Sequence, residues 1–477
     1  MRKNYCLLCH DAKCNRACHK LDPADILRSL YFDNEEVVKN RLGSDIPCLH
    51  CDAECEKACP VNVSIRDIIL DVSGSDAATE KIDYSVLKTD FCGIPLENPF
   101  LLSSSVVAST YDMCARAFEA GWAGAAFKTI CMMDINEASP RFSAIKGDNQ
   151  RIIGFKNIEQ LSDHTVVENI EIFRRLKKDY PDKFLLVSIM GRNDEEWAYL
   201  ADVLNDSGAD ALELNFSCPN MTEGNTGSDV GQIPELVEHY TAIVRQHTRL
   251  PFIAKLTPNV THIEESADAA IRGGADGVAA INTIKSLIDV DIDPTDGIFH
   301  AAIGGYSGKA VKPVALRFTA ELAKDHNLDG KHISAMGGIE TWRDAAEFFV
   351  LGADTVQITT AVMQYGYRII DDLKDGLALY LMKHGFKNIR DIERSTIEGI
   401  VQVEELDRSY KILPKFIRKK CVGCQRCFVS CNDGGHQAIT IVEGRPVLNP
   451  EKCVGCHLCV LVCPQQAIVS SEVRVPK

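Results

Sequence analysis

No stretch of eighteen apolar residues occurs in this sequence, so nothing in it reads as a membrane-crossing helix. The opening residues, Met1-Arg2-Lys3-Asn4-Tyr5-Cys6, hold no apolar segment of the kind a secretion signal requires. Positive charge is scarce: 52 basic against 67 acidic side chains give a formal charge of −15, which argues against a nucleic-acid or lipid surface as main partner. No G-x-G-x-x-G follows a first strand, so no Rossmann unit for NAD or FAD is visible. The long middle is poor in cysteine, and 477 residues are too many for a secreted disulfide scaffold. What remains is an acidic protein, 45% hydrophobic, expected in the cytoplasm, with core enough for one large domain and small satellites.

Cysteine is what the chain has in excess, and sixteen of its twenty stand in four runs, two at each end. The C-terminal runs are Cys421, Cys424, Cys427, Cys431 and Cys453, Cys456, Cys459, Cys463, the last followed by Pro464. Both read C-x2-C-x2-C-x3-C, the spacing of a two-cluster ferredoxin, in which the fourth cysteine of each run ligates the other cluster. The expectation is one [4Fe–4S] cluster on Cys421, Cys424, Cys427 and Cys463, and another on Cys453, Cys456, Cys459 and Cys431. Zinc sites instead pair two C-x2-C units across a longer gap.

The N-terminal runs are Cys6, Cys9, Cys14, Cys18 and Cys48, Cys51, Cys55, Cys59, the second followed by Pro60 and Val61. Between them Asp22-Pro23-Ala24-Asp25 opens a helix carrying Ile26, Leu27, Leu30 and Tyr31 at helical spacing. Two more [4Fe–4S] clusters are expected, each run holding its own or the ligands interleaving. His10, His19 and His50 flank the thiols and keep a zinc reading open.

From about residue 91 to residue 379, short apolar β-branched runs alternate with amphipathic helical stretches. The runs are 100–104, 125–130, 184–190, 211–217, 252–256, 277–283, 333–338 and 355–360. Eight such units predict a (β/α)8 TIM barrel, and near-continuous apolar character fits parallel strands covered on both sides. The domain plan is a helical iron–sulfur module over 1–75, the barrel over 85–380, a linker over 381–415 and a ferredoxin-like domain over 416–477. Polar residues gather at the C-terminal ends of the runs: Ser104, Lys128-Thr129, Asn215, Ser217, Lys255, Asn282-Thr283, Gly337-Gly338 and Thr359-Thr360. Barrel active sites are built at that end.

Gly337-Gly338 and Thr359-Thr360 end the seventh and eighth runs, where barrel loops frequently bind phosphate. Gly304-Gly305-Tyr306-Ser307-Gly308-Lys309 is a second glycine feature of this kind. Together they point to a phosphorylated cofactor. Cys218 has no C-x2-C partner and stands at the barrel mouth, where a thiol could donate a proton to a carbon held over a flavin. The loop 221–231 that follows is glycine-spotted and could close as a lid. Asn157, Glu159, Asn282 and Thr283 offer donors and acceptors suited to a ring with alternating C=O and N–H edges. Cys92, Cys114 and Cys131 read as small buried hydrophobes.

Phe127-Lys128-Thr129, Ser217-Cys218-Pro219, Lys255-Leu256-Thr257-Pro258-Asn259, Gly305-Tyr306-Ser307-Gly308-Lys309 and Asn432-Asp433-Gly434-Gly435-His436 carry a resemblance to the dihydropyrimidine dehydrogenase family. Over roughly 85–470 the chain is most like the FMN- and cluster-carrying subunit of the bacterial NAD-dependent enzymes. Its first 75 residues resemble instead the helical two-cluster module that opens the long eukaryotic enzyme and the bacterial flavoprotein subunit. The resemblance implies FMN on Ser103, Ser104, Lys128, Thr129, Lys255, Ser307, Gly308, Gly337, Gly338, Thr359 and Thr360. It implies a pyrimidine held by Asn157, Glu159, Asn215, Ser217, Asn282 and Thr283.

By the same resemblance, the 5,6 double bond of uracil or thymine would take hydride from FMN and a proton from Cys218, with Lys255 beside the flavin's N1–C2 edge. Electrons would come from NAD(P)H through an FAD-carrying partner subunit, or a ferredoxin, in a hetero-oligomer. The nearest alternative is a dihydroorotate dehydrogenase-type enzyme, whose barrels share the Ser-Cys-Pro-Asn seen at Ser217–Asn220 but carry no fused ferredoxin. A second alternative is a non-catalytic electron carrier.

Overall fold

The structure, a computed structural model, describes residues 6–44, 46–73, 79–147, 150–221, 224, 226–288, 290 and 302–477. The chain divides into two compact units, Met1–Glu398 and Gly399–Lys477.

The larger unit is built on a closed barrel of eight parallel strands, each neighbouring the next in chain order. They are β1 (Phe100–Leu102), β2 (Gly124–Ile130), β3 (Phe184–Ile189), β4 (Ala211–Asn215), β5 (Phe252–Lys255), β6 (Gly277–Ala280), β7 (His332–Met336) and β8 (Thr355–Ile358). Every residue of β3, β4, β5, β6, β7 and β8 is buried, because helices cover the barrel outside and side chains fill it inside. These strands coincide with the eight apolar runs. An antiparallel hairpin, Thr89–Phe91 with Ile94–Leu96, closes the N-terminal face. Its Phe91 packs on Phe184 and His332.

A four-stranded antiparallel sheet has no counterpart in the sequence reading. It runs in the order Ile284–Ser286, Gly304–Ser307, Ile152–Asn157, Phe142–Lys146. Its strands come from the loops after β2 and β6, and Asn157 pairs with Gly305 across it. Its burial is too uneven for clean alternation: Phe142–Lys146 has no fully buried residue.

The N-terminal module folds around its own core. Helices Pro23–Tyr31, Glu35–Leu42 and Ile65–Val72 bury Ile26, Leu27, Leu30, Val38, Leu42, Ile65 and Ile69 with Cys48 and Cys55. It docks on the last barrel helix, Ile369–Lys383, through Asp372. Arg28 Nε and Ser29 Oγ each donate to that carboxylate at 2.7 Å, and Asn34 Nδ2 donates to its backbone oxygen at 2.7 Å. Arg41 and Tyr84 meet on Asp375 one turn further along. Arg368 donates to the Leu8 and Cys9 carbonyls at 2.6 and 3.4 Å.

The stretch expected as a linker is shared between the two units. Ile389, Ile392 and Ile397 are buried in the barrel core, whereas Tyr410–Phe416 is a strand paired with Ile468–Pro476 in the smaller unit. Apolar residues too sparse for a periodic pattern still find burial once the barrel is there to receive them. The smaller unit adds the hairpin Ile439–Val442 with Arg445–Leu448 and two short helices, Arg426–Gly434 and Leu458–Leu461.

Among the described residues no helix is long and apolar enough to cross a membrane.

Candidate active site and cluster sites

The carboxyl ends of the strands and the antiparallel sheet enclose a cleft of about 1120 Å³ that opens to solvent. All the residues expected to hold a flavin or a pyrimidine line it except Ser217. Ser217 stands directly behind, its Oγ donating to Asn215 Oδ1 at 2.8 Å and accepting from Asn282 Nδ2 at 2.8 Å. Asn215 Nδ2 in turn donates to Thr129 Oγ1 at 2.9 Å, so three strand ends share one polar ledge.

Cys218 lines the cleft, 7% exposed, and burial pushes its thiol up to about 11. It is therefore a thiol, not a thiolate, at neutral pH. That state donates a proton but does not act as a base or nucleophile. Its loop is tied down from both sides. Ser228 N donates to Cys218 O at 2.9 Å, and Asn220 Nδ2 donates to Glu159 O at 2.8 Å and Asn157 Oδ1 at 3.2 Å. Of the expected lid, residues 222, 223 and 225 lie outside the described residues; Ser228–Gly231 is a short helix.

Sequence reasoning found Lys128 and Glu159 but missed what surrounds them. Glu159 takes Lys128 Nζ on one oxygen at 2.8 Å and Arg141 Nη1 on the other at 2.6 Å, with Glu137 3.5 Å from Lys128. Two cations and two carboxylates balance at this end of the cleft. Arg141 and Glu137 lie in the loop after β2 and at the start of the antiparallel sheet, and no spacing in the sequence marked them. Asn220 was visible as part of Ser-Cys-Pro-Asn, but its stapling role was not. Also missed were Glu213 and Gln357, inside the barrel beneath Lys255. Lys255 Nζ lies 3.3 Å from both Ser103 Oγ and Glu213 Oε1.

The cleft's features fit FMN. Gln357 Oε1 is buried without a partner, an acceptor turned to no protein donor in a residue that lines the cleft. At the other end Gly337 and Gly338 carry φ of +129° and +75°. A Cβ on Gly338 would stand 2.8 Å from Lys312 N, so only glycine leaves this backbone open to a phosphate. The Ser307 and Thr360 hydroxyls meet 3.0 Å apart beside it. Lys255 supplies a cation at the deep end.

The smaller unit holds two cysteine-lined cavities. One is lined by Cys421, Cys424, Cys427 and Cys463, the other by Cys453, Cys456, Cys459 and Cys431. This is the crossed grouping that the spacing predicts. Among the described residues no three His, Cys, Asp or Glu side chains close tightly enough to share one ion. The thiols instead ring cavities of about 390 and 350 Å³.

The N-terminal thiols approach one another across the two runs. The charges that reach Cys6 are those of Cys14, Cys9 and Cys59, and Cys14 likewise feels Cys59 and Cys9. Burial, then Cys51 and Cys18, pushes Cys48 up to about 11; burial, then chiefly Cys18, does the same to Cys55. By proximity the thiols fall into two sets, Cys6, Cys9, Cys14, Cys59 and Cys18, Cys48, Cys51, Cys55, the fourth cysteine of each run lying with the other run. His10, His19 and His50 are exposed.

A family model for dihydroorotate dehydrogenase matches residues 86–381, and one for a 4Fe-4S dicluster domain matches 416–470. The chain is 50% identical over 397 residues to the NAD-dependent dihydropyrimidine dehydrogenase subunit PreA of Escherichia coli K12, covering 82% of this chain and 97% of that protein. It is 35% identical over 355 residues to the chloroplastic dihydropyrimidine dehydrogenase (NADP(+)) of Arabidopsis thaliana, covering 71% and 82%. The catalytic subunit of dihydroorotate dehydrogenase B (NAD(+)) from Pyrococcus abyssi is 39% identical over 312 residues, 64% of this chain and 98% of that one.

Proposed function

Because the chain belongs to the dihydroorotate dehydrogenase family and, within it, to the dihydropyrimidine dehydrogenases, we propose that its barrel reduces the 5,6 double bond of uracil or thymine. One observation carries this reading: a buried, protonated thiol, Cys218, shares a cleft with Lys255 and with Asn157, Asn215 and Asn282.

FMN would be held by Ser103, Ser104, Lys128, Thr129, Lys255, Ser307, Gly308, Gly337, Gly338, Thr359 and Thr360, and supplies a hydride when bound. Asn157, Asn215, Asn282 and Thr283, with Ser217 behind them, orient the ring. Cys218 gives its Sγ proton to C5 and regains one from solvent. The paired charges of Lys128, Arg141, Glu137 and Glu159 suit a neutral ring. Orotate, which carries a carboxylate, would meet no free cation among them.

Iron–sulfur clusters at both ends would relay electrons. The PreA relative is named as a subunit, and by that likeness the chain assembles with a partner. We assign the partner as an FAD-carrying flavoprotein oxidising NAD(P)H in the cytoplasm, the pair serving pyrimidine catabolism.

Dithionite-reduced protein, freed of excess reductant without oxygen, tests the reading when mixed with uracil, thymine or orotate. Rapid return of flavin absorbance with uracil or thymine supports it. Return with orotate alone assigns the chain to dihydroorotate chemistry. No return with any of the three removes the pyrimidine reading.

A further inference from the structure

Beneath the cleft, the barrel interior carries a chain of polar groups that the proposed reaction does not use. Lys255, 3% exposed, has Glu213, wholly buried, as its one anionic partner among the described residues, at 3.3 Å. The second oxygen of Glu213 accepts from Gln357 Nε2 at 3.1 Å. The same amide nitrogen donates to Ser334 Oγ at 3.1 Å. Thr355 Oγ1 donates to Ser334 Oγ at 2.9 Å, and His332 Nε2 lies 3.0 Å from Thr355 Oγ1. Burial holds His332 neutral, down to about 3, so it brings no charge into the network. The network thus runs from the closed face of the barrel to the floor of the cleft, with every member buried.

A lysine this deep needs a partner to hold it, because a low-dielectric interior makes an unpaired buried charge costly. A carboxylate this deep stays ionised only if hydrogen bonds and a cation compensate it. Glu213 has both, one on each oxygen. Gln357 spends its amide N–H groups on Glu213 and Ser334, which fixes which end of the amide faces the carboxylate. Resting on the proposed FMN site, we propose that Glu213 is a positioning residue that anchors the Lys255 side chain at the floor of the cleft, and that Gln357 holds Glu213 in the orientation that does so. The bland alternative is a polar core pair whose replacement would leave the cleft's chemistry untouched. The other ionisable groups lining the cleft are Lys128, Glu159, Tyr306, Lys309, Glu340 and the thiol of Cys218, with Glu137 3.5 Å from Lys128.

The test uses full-length holoenzyme and reads the midpoint potential of bound FMN, not turnover. Glu213→Gln and the volume-conserving Gln357→Met are titrated anaerobically from about pH 6 to about pH 9, following flavin absorbance. A Lys255 released from this anchor stabilises the reduced, anionic flavin less. Glu213→Gln is therefore expected to lower the potential near pH 8 by a factor of at least about tenfold in the reduced-to-oxidised ratio, roughly 30 mV for a two-electron couple. Gln357→Met should shift the potential in the same direction by less. An unchanged or raised potential in Glu213→Gln overturns the inference. If Glu213→Gln does not fold or retain flavin, Gln357→Met decides on the same criterion. Absence of FMN from the parent protein would instead overturn the flavin reading itself.

Discussion

Cys218 illustrates how one residue's role is set by its surroundings. Its position at a barrel-strand end made it a candidate acid; its burial, with a pKa up to about 11, makes the thiol the stable form at working pH. Cys218→Ala is expected to retain flavin and iron yet lose about 10²–10⁴-fold in uracil reduction, the usual contribution of a positioned acid. The pH profile for the thiol step should stay level through neutrality and fall only as pH rises through about 11, because the donating form is the protonated one. A steady-state comparison of variant and parent checks the first expectation, and single-turnover rates across pH check the second. A second residue links pH to stability. Burial raises Asp354 to about 6 although it accepts from Ile333 N at 2.7 Å. The folded chain then holds that proton to higher pH than the unfolded chain does, so this contribution to stability is present below about pH 4 and lost as pH rises to about 6. Asp354→Asn should gain thermal stability on the parent as pH is raised from about 4 to about 7, as thermal melts across that window would register; a constant difference would refute the assignment.

At the scale of elements, the eight barrel strands were legible because a strand covered on both faces must be apolar throughout, and such runs are conspicuous. The antiparallel sheet that carries Asn157, Ser307 and Phe142 was not, because short strands with mixed exposure have no clean period. That sheet nevertheless sets the composition of the cleft, since it brings the loops after β2 and β6 together. Docking of the N-terminal module shows the same dependence on partners. Arg28, Ser29 and Asn34 all converge on Asp372, which is nearly fully buried. Asp372→Ala leaves Arg28 with only the exposed carboxylates of Asp25 at 3.2 Å and Asp371 at 3.7 Å, a loss of about 3 kcal/mol at most, the lower end for a broken buried pair. Limited proteolysis should then release the first 80 or so residues sooner than from the parent chain, with the barrel left intact; equal release rates would show that the pair does not hold the module.

At the scale of the whole molecule, the clusters are staples as much as redox centres. In the smaller unit the fourth thiol of each run lines the other run's cavity, and at the N-terminus Cys59 and Cys18 lie near the opposite runs, so no run would complete a cluster alone. Cys431→Ser should therefore damage the cluster on Cys453, Cys456 and Cys459 and spare the one on Cys421, Cys424 and Cys427. Cys59→Ser should likewise damage the cluster on Cys6, Cys9 and Cys14, with a loss of up to about four iron atoms per chain in each case. Iron analysis with spectroscopy of the reduced clusters decides, and loss of the cluster on the mutated run's own first three cysteines would reverse the grouping.

Sequence by itself determined the features governed by local spacing: the ferredoxin cysteines, the apolar strand runs, and the polar and glycine residues at their carboxyl ends. Short gaps confine thiols to one face of a cluster, and burial on both faces forces a strand to be apolar, whatever the rest of the chain does. Tertiary structure alone decided which N-terminal thiols lie near one another, that Arg141 and Lys128 both pair with Glu159, and that Glu213 lies under Lys255. Those contacts join residues from 18 positions apart, Arg141 and Glu159, to 53, Cys6 and Cys59. A charge or thiol carries no mark of its partner until folding removes the water between them.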